Sequence, residues 1–208
     1  MSQFDLFAPP PPSSPESTAR RRLQSGASTH DLFFALRPAP ADTQRLAAHA
    51  TREGARLGVG GEPTDPGRLH VSLYAMVRYE RDDPFPQADV ERWMSAASIV
   101  SSRVFEVVFD GVATFGGRTN PLVLKSSTGE GVAGVRALHR ELGIALANAG
   151  ETVKDRSFEP HMTVSYGGMR IAEASIAPIA WMPDELVLID SHVGQHVHEV
   201  LGRWPLPR

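Results

Sequence analysis

Two short runs, LHVSLYA at 69–75 and PHMTVSY at 160–166, alternate polar and apolar residues and constrain the fold more than any other feature. Successive side chains of a β-strand point to opposite faces of its sheet. Each run therefore predicts a strand with one apolar face that packs on a core and one polar face that is available for something else. Any fold for this chain has to accommodate two such strands, one in the middle and one near the end.

The remaining pattern mixes helices and strands without a regular alternation. Hydrophobic periodicity and turn residues predict strands at 32–36, 68–77, 104–109, 122–125, 161–166, 186–192 and 198–204, and helices at 42–57, 86–101 and 132–149. Asp42 is the predicted N-cap of the first helix. A long helix followed by a His-x-[Ser/Thr] strand occurs twice, at 42–75 and at 132–166. These features predict an α+β fold built as two pseudo-symmetric lobes.

Composition distinguishes a tail from a folded domain and indicates the cellular compartment. Residues 1–29, which include PPPPSSPES and three consecutive arginines at 20–22, are predicted to be a disordered tail, and residues 30–208 the folded domain. The arginines suit the steering of polyanions toward the domain. There is no cysteine and no apolar run of the ~18–20 residues that span a bilayer, so we expect a cytoplasmic protein with no membrane contact. The net charge of −3 argues against non-specific coating of nucleic acid but allows a pocket for one phosphate.

The His-x-[Ser/Thr] pattern occurs three times, and geometry separates the three matches. His49 and Thr51 fall in a predicted helix, where side chains two residues apart diverge, so we interpret them as surface residues. In a strand the same spacing places imidazole and hydroxyl side by side. A single such strand is more often merely a solvated sheet face. Two of them in matching contexts favour a shared functional site.

Two imidazoles and two hydroxyls point to a particular chemistry. Histidine titrates near pH 6.5, so one neutral and one protonated ring can act as base and acid in a single step. Hydroxyl groups beside them can donate hydrogen bonds to phosphoryl oxygens. Imidazoles on opposite sides of a phosphorus atom suit in-line displacement, which needs no metal. The pattern therefore predicts hydrolysis or transesterification of a phosphodiester.

These residues resemble the two-histidine phosphoesterase superfamily, in particular the LigT-like family of 2′-5′ RNA ligases and RNA 2′,3′-cyclic phosphodiesterases. The resemblance extends over about residues 31–206. It is carried by LFFALRP (32–38), the tetrad His70-Val71-Ser72-Leu73, RSFEPHMTVSY (156–166) and ELVLIDSHVG with EVLGRWPL near the C-terminus. Two tetrads with a Phe-x-Pro lead-in to the second make the signal fairly specific.

The resemblance implies a bilobal fold with an antiparallel sheet in each lobe and a central cleft. It implies that His70 is the acid on the leaving 3′ oxygen, that His161 is the base on water, and that Ser72 and Thr163 bind the phosphate. The implied substrates are 2′,3′-cyclic phosphates at RNA 3′ ends or on nucleotides, opened to 2′-phosphates, with 2′-5′ ligation as the reverse reaction. No cofactor and no obligate protein partner are expected.

Other residues are candidates for supporting roles. Arg68, Arg118, Lys125 and Arg156 could add to phosphate binding, although charged side chains are more often plain surface residues. Tyr166, Phe115 and Phe34 could stack a base, with core packing favoured for Phe34. A local cluster at 192–199 contains His-x-His, but no carboxylate or cysteine spacing completes a zinc site, so no metal is expected. Tyr166 and the three residues Arg68, Arg118 and Lys125 are the substrate-binding candidates.

Two alternative functions stay open at this level. The tetrads depart from the family pattern, with Ser72 where threonine is common and Ser165-Tyr166-Gly167 where an arginine often follows. The ester could instead be a 2′-5′ phosphodiester or a cyclic phosphate on a metabolite other than RNA. The protein could also be an RNA-end binding module with little turnover.

Overall fold

A computed structural model of the chain describes residues 29–116, 119–153 and 157–208. The predicted tail lies outside these residues except for Thr29, which belongs to the first strand, so the described fold begins one residue before the predicted boundary. Arg118 and Arg156, two of the candidate phosphate ligands, also lie outside the described residues.

The described chain forms nine strands and three α-helices. The strands are β1 (Thr29–Pro38), β2 (Glu62–Pro63), β3 (Val71–Glu80), β4 (Val107–Thr114), β5 (Leu122–Lys125), β6 (His161–Tyr166), β7 (Ala174–Trp181), β8 (Pro183–His192) and β9 (Val197–Pro205). The helices are α1 (Pro40–Arg56), α2 (Gln87–Ala97) and α3 (Ala133–Asn148). Single 3₁₀ turns at Pro66–Arg68 and Glu130–Val132 precede β3 and α3.

The strands assemble into two antiparallel sheets. Sheet A has the order β3–β1–β8–β9, and sheet B has the order β2–β6–β5–β4–β7. The two predicted polar-faced strands therefore belong to different sheets, with β3 at an edge of sheet A and β6 beside the two-residue edge strand of sheet B. This arrangement confirms the α+β prediction with an antiparallel sheet in each lobe.

The alternation that predicted β3 and β6 has the expected consequence for burial. Val71 and Leu73 on β3 are buried, as are Met162 and Val164 on β6, whereas Ser72 between the two β3 residues is exposed. The apolar faces of both sheets contribute to one hydrophobic core that also takes in the buried faces of the helices. The polar faces are left for the space between the sheets.

Several predicted boundaries were wrong for local reasons. Asp42 is not the N-cap of α1: Ala39 occupies that position, Pro40 starts the helix with the fixed φ that suits its first turn, and the Asp42 carboxylate accepts a hydrogen bond from Arg45. The segment from Arg68 does not enter the strand at once, because Asp65 accepts a hydrogen bond from the Gly67 amide and closes a 3₁₀ turn. The strand then starts at Val71.

Two strands were missed: the two-residue β2 and the eight-residue β7. β7 carries Pro178 in its interior, and a proline argues against a strand because it cannot donate to the hydrogen-bond ladder. β7 lies at the edge of sheet B and pairs only with β4, so the missing donor does not interrupt the sheet. Within the described part of the chain, no helix is both long enough and apolar enough to cross a membrane.

Candidate active site

The two histidine motifs approach each other where the two sheets meet. His70 directly precedes β3, and His161 is the first residue of β6. These two strands contact each other although they belong to different sheets. The His161 side chain is close enough to His70 to lower its pKa through charge repulsion. The structure thus brings together the two imidazoles that the sequence analysis selected.

Three of the four motif residues line two adjoining pockets. The first, of ≈ 560 Å³, is lined by residues that include Arg68, His70 and Tyr166, and the second, of ≈ 660 Å³, by residues that include His161. Ser72, Ala75 and Met76 line both pockets and so mark where they meet. Thr163, half-buried on the same face of β6 as His161, is not among the residues that line either of them.

Both motif histidines are held in the same way by the backbone. The Nδ1 atom of His70 lies 2.7 Å from the carbonyl oxygen of Arg68, and Nδ1 of His161 lies 2.8 Å from that of Glu159. A carbonyl oxygen only accepts hydrogen bonds, so each Nδ1 carries the proton. Each Nε2 is then the atom that can take up or release a proton toward a ligand. In both motifs the accepting carbonyl belongs to the residue two positions upstream of the histidine, so the two motifs are alike in this contact as well.

Burial decides the charge of His70 in the free protein. Desolvation lowers its pKa to about 4, against the hydrogen bond to the Arg68 carbonyl, which raises it. Arg37, Arg68 and His161 lower it further by charge repulsion. His70 is therefore neutral at neutral pH until an anion enters the site.

Two arginines give this part of the cleft a positive potential. Arg37, on β1, donates a hydrogen bond to the Gly67 carbonyl, and burial is the main cause that lowers its pKa. Arg68 donates to Nδ1 of His196 at 2.8 Å and lines the His70 pocket. Sequence reasoning singled out Arg68 but missed Arg37, which stands in the LFFALRP run of β1.

The other candidate cation has partners already. Lys125 forms ion pairs with Glu159 at 2.5 Å and Glu173 at 2.9 Å, and these carboxylates raise its pKa. It pairs in register with His161 but does not line either pocket that contains a motif histidine. Tyr166, in contrast, lies exposed at the end of β6 and lines the His70 pocket.

A third histidine of the cleft was not selected by the sequence. The ring of His198, on β9, lies 5.3 Å from that of His70, and Phe33 contacts both rings at 5.1 and 5.8 Å between centroids. Burial and the neighbouring His70 lower the pKa of His198 to about 3, so it stays neutral. The sequence predicts that 186–192 and 198–204 form a hairpin around Gly194, and β8 and β9 do pair. It does not predict that β8 pairs with β1, which brings this hairpin to the cleft.

Aromatic rings line the pocket that contains His161. Phe115 lies 4.7 Å from the His161 ring, and His139 is stacked between Tyr74 at 4.1 Å and Phe158 at 3.8 Å. All of these residues line the ≈ 660 Å³ pocket. Phe115 therefore stands where a base could stack, whereas Phe34 is fully buried in the core, as the packing interpretation expected.

Two sequence interpretations of histidine were wrong. His49 is buried rather than on the surface, with its Nδ1 2.9 Å from Arg52 and its pKa lowered by burial. The three histidines of the cluster at 192–199 do not stay together: His196 contacts Arg68, His198 faces the cleft, and His192 is buried near Asp190. Alternate residues of a hairpin point to opposite sheet faces, which separates His192 from His198.

Comparison with known proteins assigns the family. A sequence model described as "2'-5' RNA ligase superfamily" matches residues 36–195. The chain therefore belongs to the 2′-5′ RNA ligase superfamily, and it is a LigT-like member of the two-histidine phosphoesterases. No curated protein sequence matches the chain at a significant level.

Solved structures support the fold. Apo E. coli LigT matches at 18% identity with a TM-score of 0.65, covering 88% of this chain and 100% of its own. E. coli LigT complexed with 3′-AMP matches at 19% identity, TM-score 0.65, covering 86% and 99%. The protein TT0787 of Thermus thermophilus matches at 18% identity, TM-score 0.63, covering 85% and 97%. These likenesses establish a shared LigT-like architecture over most of the chain.

Proposed function

We propose that this protein hydrolyses 2′,3′-cyclic phosphates of RNA ends or nucleotides to 2′-phosphates, by acid–base catalysis with His70 and His161 and without a metal ion. One observation carries the proposal: the Nδ1 atom of each ring donates a hydrogen bond to the backbone carbonyl two residues upstream. The Nε2 atom of each ring is therefore left for the substrate. The adjoining pockets that meet at Ser72 supply a place for one phosphate between them.

In the proposed step a water molecule attacks phosphorus in line with the 3′ oxygen. The Nε2 atom of neutral His161 accepts a proton from this water as its oxygen bonds to phosphorus. The bond from phosphorus to the 3′ oxygen breaks, and His70 donates its Nε2 proton to that oxygen. The products are a 2′-phosphate and a 3′-hydroxyl, and the two histidines have exchanged protonation states. With a 5′-hydroxyl in place of water, the same site would form a 2′-5′ bond.

The acid role requires His70 to gain a proton when the substrate binds. Its pKa of about 4 in the free protein keeps it neutral at neutral pH. An anionic phosphodiester favours the charged imidazolium and raises this pKa. Arg37 and Arg68 attract the same anion, and Ser72 and Thr163 donate hydrogen bonds to its non-bridging oxygens. Arg118 remains a candidate ligand on the sequence alone.

The substrate class draws support from relatives and from the pocket walls. E. coli LigT has been solved in complexes with 3′-AMP, ATP and NADP⁺. In this chain Phe115 beside His161, and Tyr166 beside His70, offer ring faces on which a nucleobase can stack. Nucleotides and RNA 3′ ends therefore fit both the reacting groups and the flanking surface.

The direct test is hydrolysis of 2′,3′-cyclic AMP in the presence of EDTA, followed by ³¹P NMR. We expect 2′-AMP as the product, no 3′-AMP, and no effect of the chelator. A purified, folded protein that gives no 2′-phosphate would remove the substrate proposal. Parallel assays with a 2′-5′-linked dinucleotide and with glycerol cyclic phosphate identify the alternative esters. Binding that survives His70→Ala and His161→Ala without any product would instead indicate a binding module.

The assignment of acid and base is tested with an ester whose leaving group needs no proton. p-Nitrophenolate leaves readily as an anion, so an acid contributes little to cleavage of bis-p-nitrophenyl phosphate. We expect His70→Ala to lose much less activity on this ester than on the cyclic phosphate, whereas His161→Ala loses activity on both. The opposite pattern would exchange the two roles, and equal losses on both esters for both variants would contradict a division into acid and base.

A further inference from the structure

A second cluster of histidines and carboxylates is buried on the opposite face of sheet A from the cleft. It consists of His30 on β1, Asp190 and His192 on β8, and Glu199 on β9, and none of these residues is more than 7% exposed. The strand register places His30 opposite His192, and Asp190 opposite Glu199. Paired residues share a sheet face, and residues two apart on β8 do so as well, so all four side chains converge.

Some contacts in this cluster are hydrogen bonds and others are too long to be so. His30 Nδ1 lies 2.9 Å from Asp190 Oδ1, and the Tyr79 hydroxyl donates to Asp190 Oδ2 at 3.2 Å. His192 Nε2, however, lies 3.7 Å from Glu199 Oε2 and 4.0 Å from Asp190 Oδ2. These two separations exceed the range of an N–H···O hydrogen bond.

Three buried ring nitrogens have no hydrogen-bond partner among the described residues. They are Nε2 of His30 and both Nδ1 and Nε2 of His192. A buried polar atom without a partner costs about 1–3 kcal/mol of stability, so native structures rarely retain three in one cluster. A bound ion would satisfy one nitrogen of each of the two rings.

The spacing of the donor atoms matches the shell of a small cation. Bonds of about 2.0–2.1 Å to a tetrahedral zinc ion place its ligand atoms about 3.3 Å from one another. His30, Asp190 and His192 each offer one ligand atom, and these atoms all lie within 4.8 Å of one another. The separation of 4.0 Å between His192 Nε2 and Asp190 Oδ2, too long for a hydrogen bond, leaves room for a shared ion.

We propose that His30, Asp190 and His192 bind one Zn²⁺ ion as a structural site. Imidazole ligands favour zinc over magnesium or calcium, which prefer oxygen. His30 and His192 are buried and line none of the five main pockets of the described residues, which suits a structural ion better than a catalytic one. The ion would join β1, the first described strand, to the β8–β9 hairpin. The proposal uses other atoms than the acid–base pair and does not depend on it.

The test starts from the full chain purified without a polyhistidine tag, stripped with a chelator and dialysed. Titration with Zn²⁺ by calorimetry is expected to show one tight site, and Co²⁺ to give the strong visible absorption of tetrahedral coordination. Saturation with Zn²⁺ is expected to raise the Tm by at least ~5 °C. Wild-type protein that takes up less than a tenth of an equivalent of either metal would overturn the proposal, whatever any variant does.

Variants then separate the buried site from the imidazoles of the cleft. Asp190→Asn and His192→Gln are expected to weaken Zn²⁺ binding by at least ~10²-fold and to abolish the tetrahedral Co²⁺ spectrum. The matched control, the double variant His70→Gln/His161→Gln, removes two cleft imidazoles and is expected to bind Zn²⁺ like the wild type. Loss of the metal from the cleft variant, with retention in Asp190→Asn, would place the ion elsewhere and refute the site.

Discussion

Each histidine in this protein takes its properties from the atoms around its ring. His70 and His161 are tethered by Nδ1 to a backbone carbonyl, so they present Nε2 to the cleft. His198 lies against His70 and is kept neutral by burial, with a pKa of about 3. His192 has neither tether nor hydrogen-bond partner among the described residues. The same residue type is thus suited to proton transfer in one place and to metal binding in another.

The pH dependence of kcat/KM should report the low pKa of His70. This parameter reflects the free enzyme, and a mechanism that needs one neutral and one protonated histidine gives a bell-shaped profile whichever ring is the acid. Because the pKa of His70 is lowered to about 4, we expect activity to be lost on the acid side only as the pH falls through about 4. An acid limb near 6.5, the ordinary value for histidine, would contradict the account, and so would a flat profile.

The cause of the shift can be tested separately. Arg37→Gln removes a positive charge that lowers the pKa of His70, so the acid limb should move to higher pH. The matched control is Arg45→Gln on α1, which forms an ion pair with Asp42 and is not among the residues that line either cleft pocket. We expect the control to leave the limb in place. The measured quantity is the pH at the midpoint of the acid limb, which does not depend on the overall rate of the variant.

The hydroxyl groups of the two motifs should contribute binding to the phosphate and leave proton transfer unchanged. Replacing Ser72 with Ala or Thr163 with Val removes one hydrogen bond to a charged group, worth about 1.5–3 kcal/mol, which corresponds to a ~10–150-fold loss of kcat/KM. The bell shape should persist. Thr51→Val, in the helical match that geometry discarded, is the control and should have no effect. Unchanged kcat/KM in both motif variants would show that neither hydroxyl touches the phosphate.

The pairing of two histidine motifs was predictable from residue types and spacing, but their surroundings were not. Alternation within six residues is enough to place His70 with Ser72 and His161 with Thr163 on polar strand faces. Arg37, His198 and the buried partners of His192 come from strands that are distant in the chain. Their positions depend on which strands pair, and a short-range pattern carries no information on that.

At the level of single elements, helix α3 has a glycine, Gly143, that leaves room for a side chain from a neighbouring strand. A Cβ atom at Gly143 would lie 2.3 Å from the hydroxyl oxygen of Tyr74, which comes from β3. The absent side chain lets Tyr74 approach the helix and stack on His139 at 4.1 Å. This contact links a helix to the strand that carries Ser72.

We therefore expect Gly143→Ala to destabilise the protein although alanine favours helices. Overpacking costs about 1–3 kcal/mol, which exceeds the gain of about 1 kcal/mol in helix propensity. Gly54 in α1 is the matched control, since a Cβ there meets nothing closer than 3.7 Å, and Gly54→Ala should be neutral or stabilising. Chemical denaturation measures both. Equal effects of the two substitutions would show that Tyr74 does not pack as described.

Elements were predictable where their pattern was strong and local. β5 and β6 have the bounds that the sequence predicted, and α3 differs by one residue at each end. β7 was missed because Pro178 is acceptable only at a sheet edge, and edge position is a property of the assembled sheet. β4 runs through Gly111 to Thr114, beyond the predicted end at Phe109, because its register with β5 extends there.

At the scale of the whole molecule, the two halves interlock. α1 precedes β3 of sheet A in the chain, yet it packs on β6 and β7 of sheet B as well as on β1. β3 and β6 then contact each other across the junction of the sheets. The cleft is therefore built from two chain segments whose relative position is fixed by a shared core. The proposed action of two remote histidines on one phosphorus atom depends on that arrangement.

Cooperation between the two histidines is tested most directly by a double-mutant cycle. The rates of 2′,3′-cyclic AMP hydrolysis in EDTA are compared for the wild type, His70→Ala, His161→Ala and the double variant. We predict that each single substitution lowers kcat at least ~10²-fold, and that the double variant is about as slow as the slower single one, because both rings serve one step. Losses that multiply in the double variant, or a single variant that keeps wild-type activity, would contradict the acid–base pair.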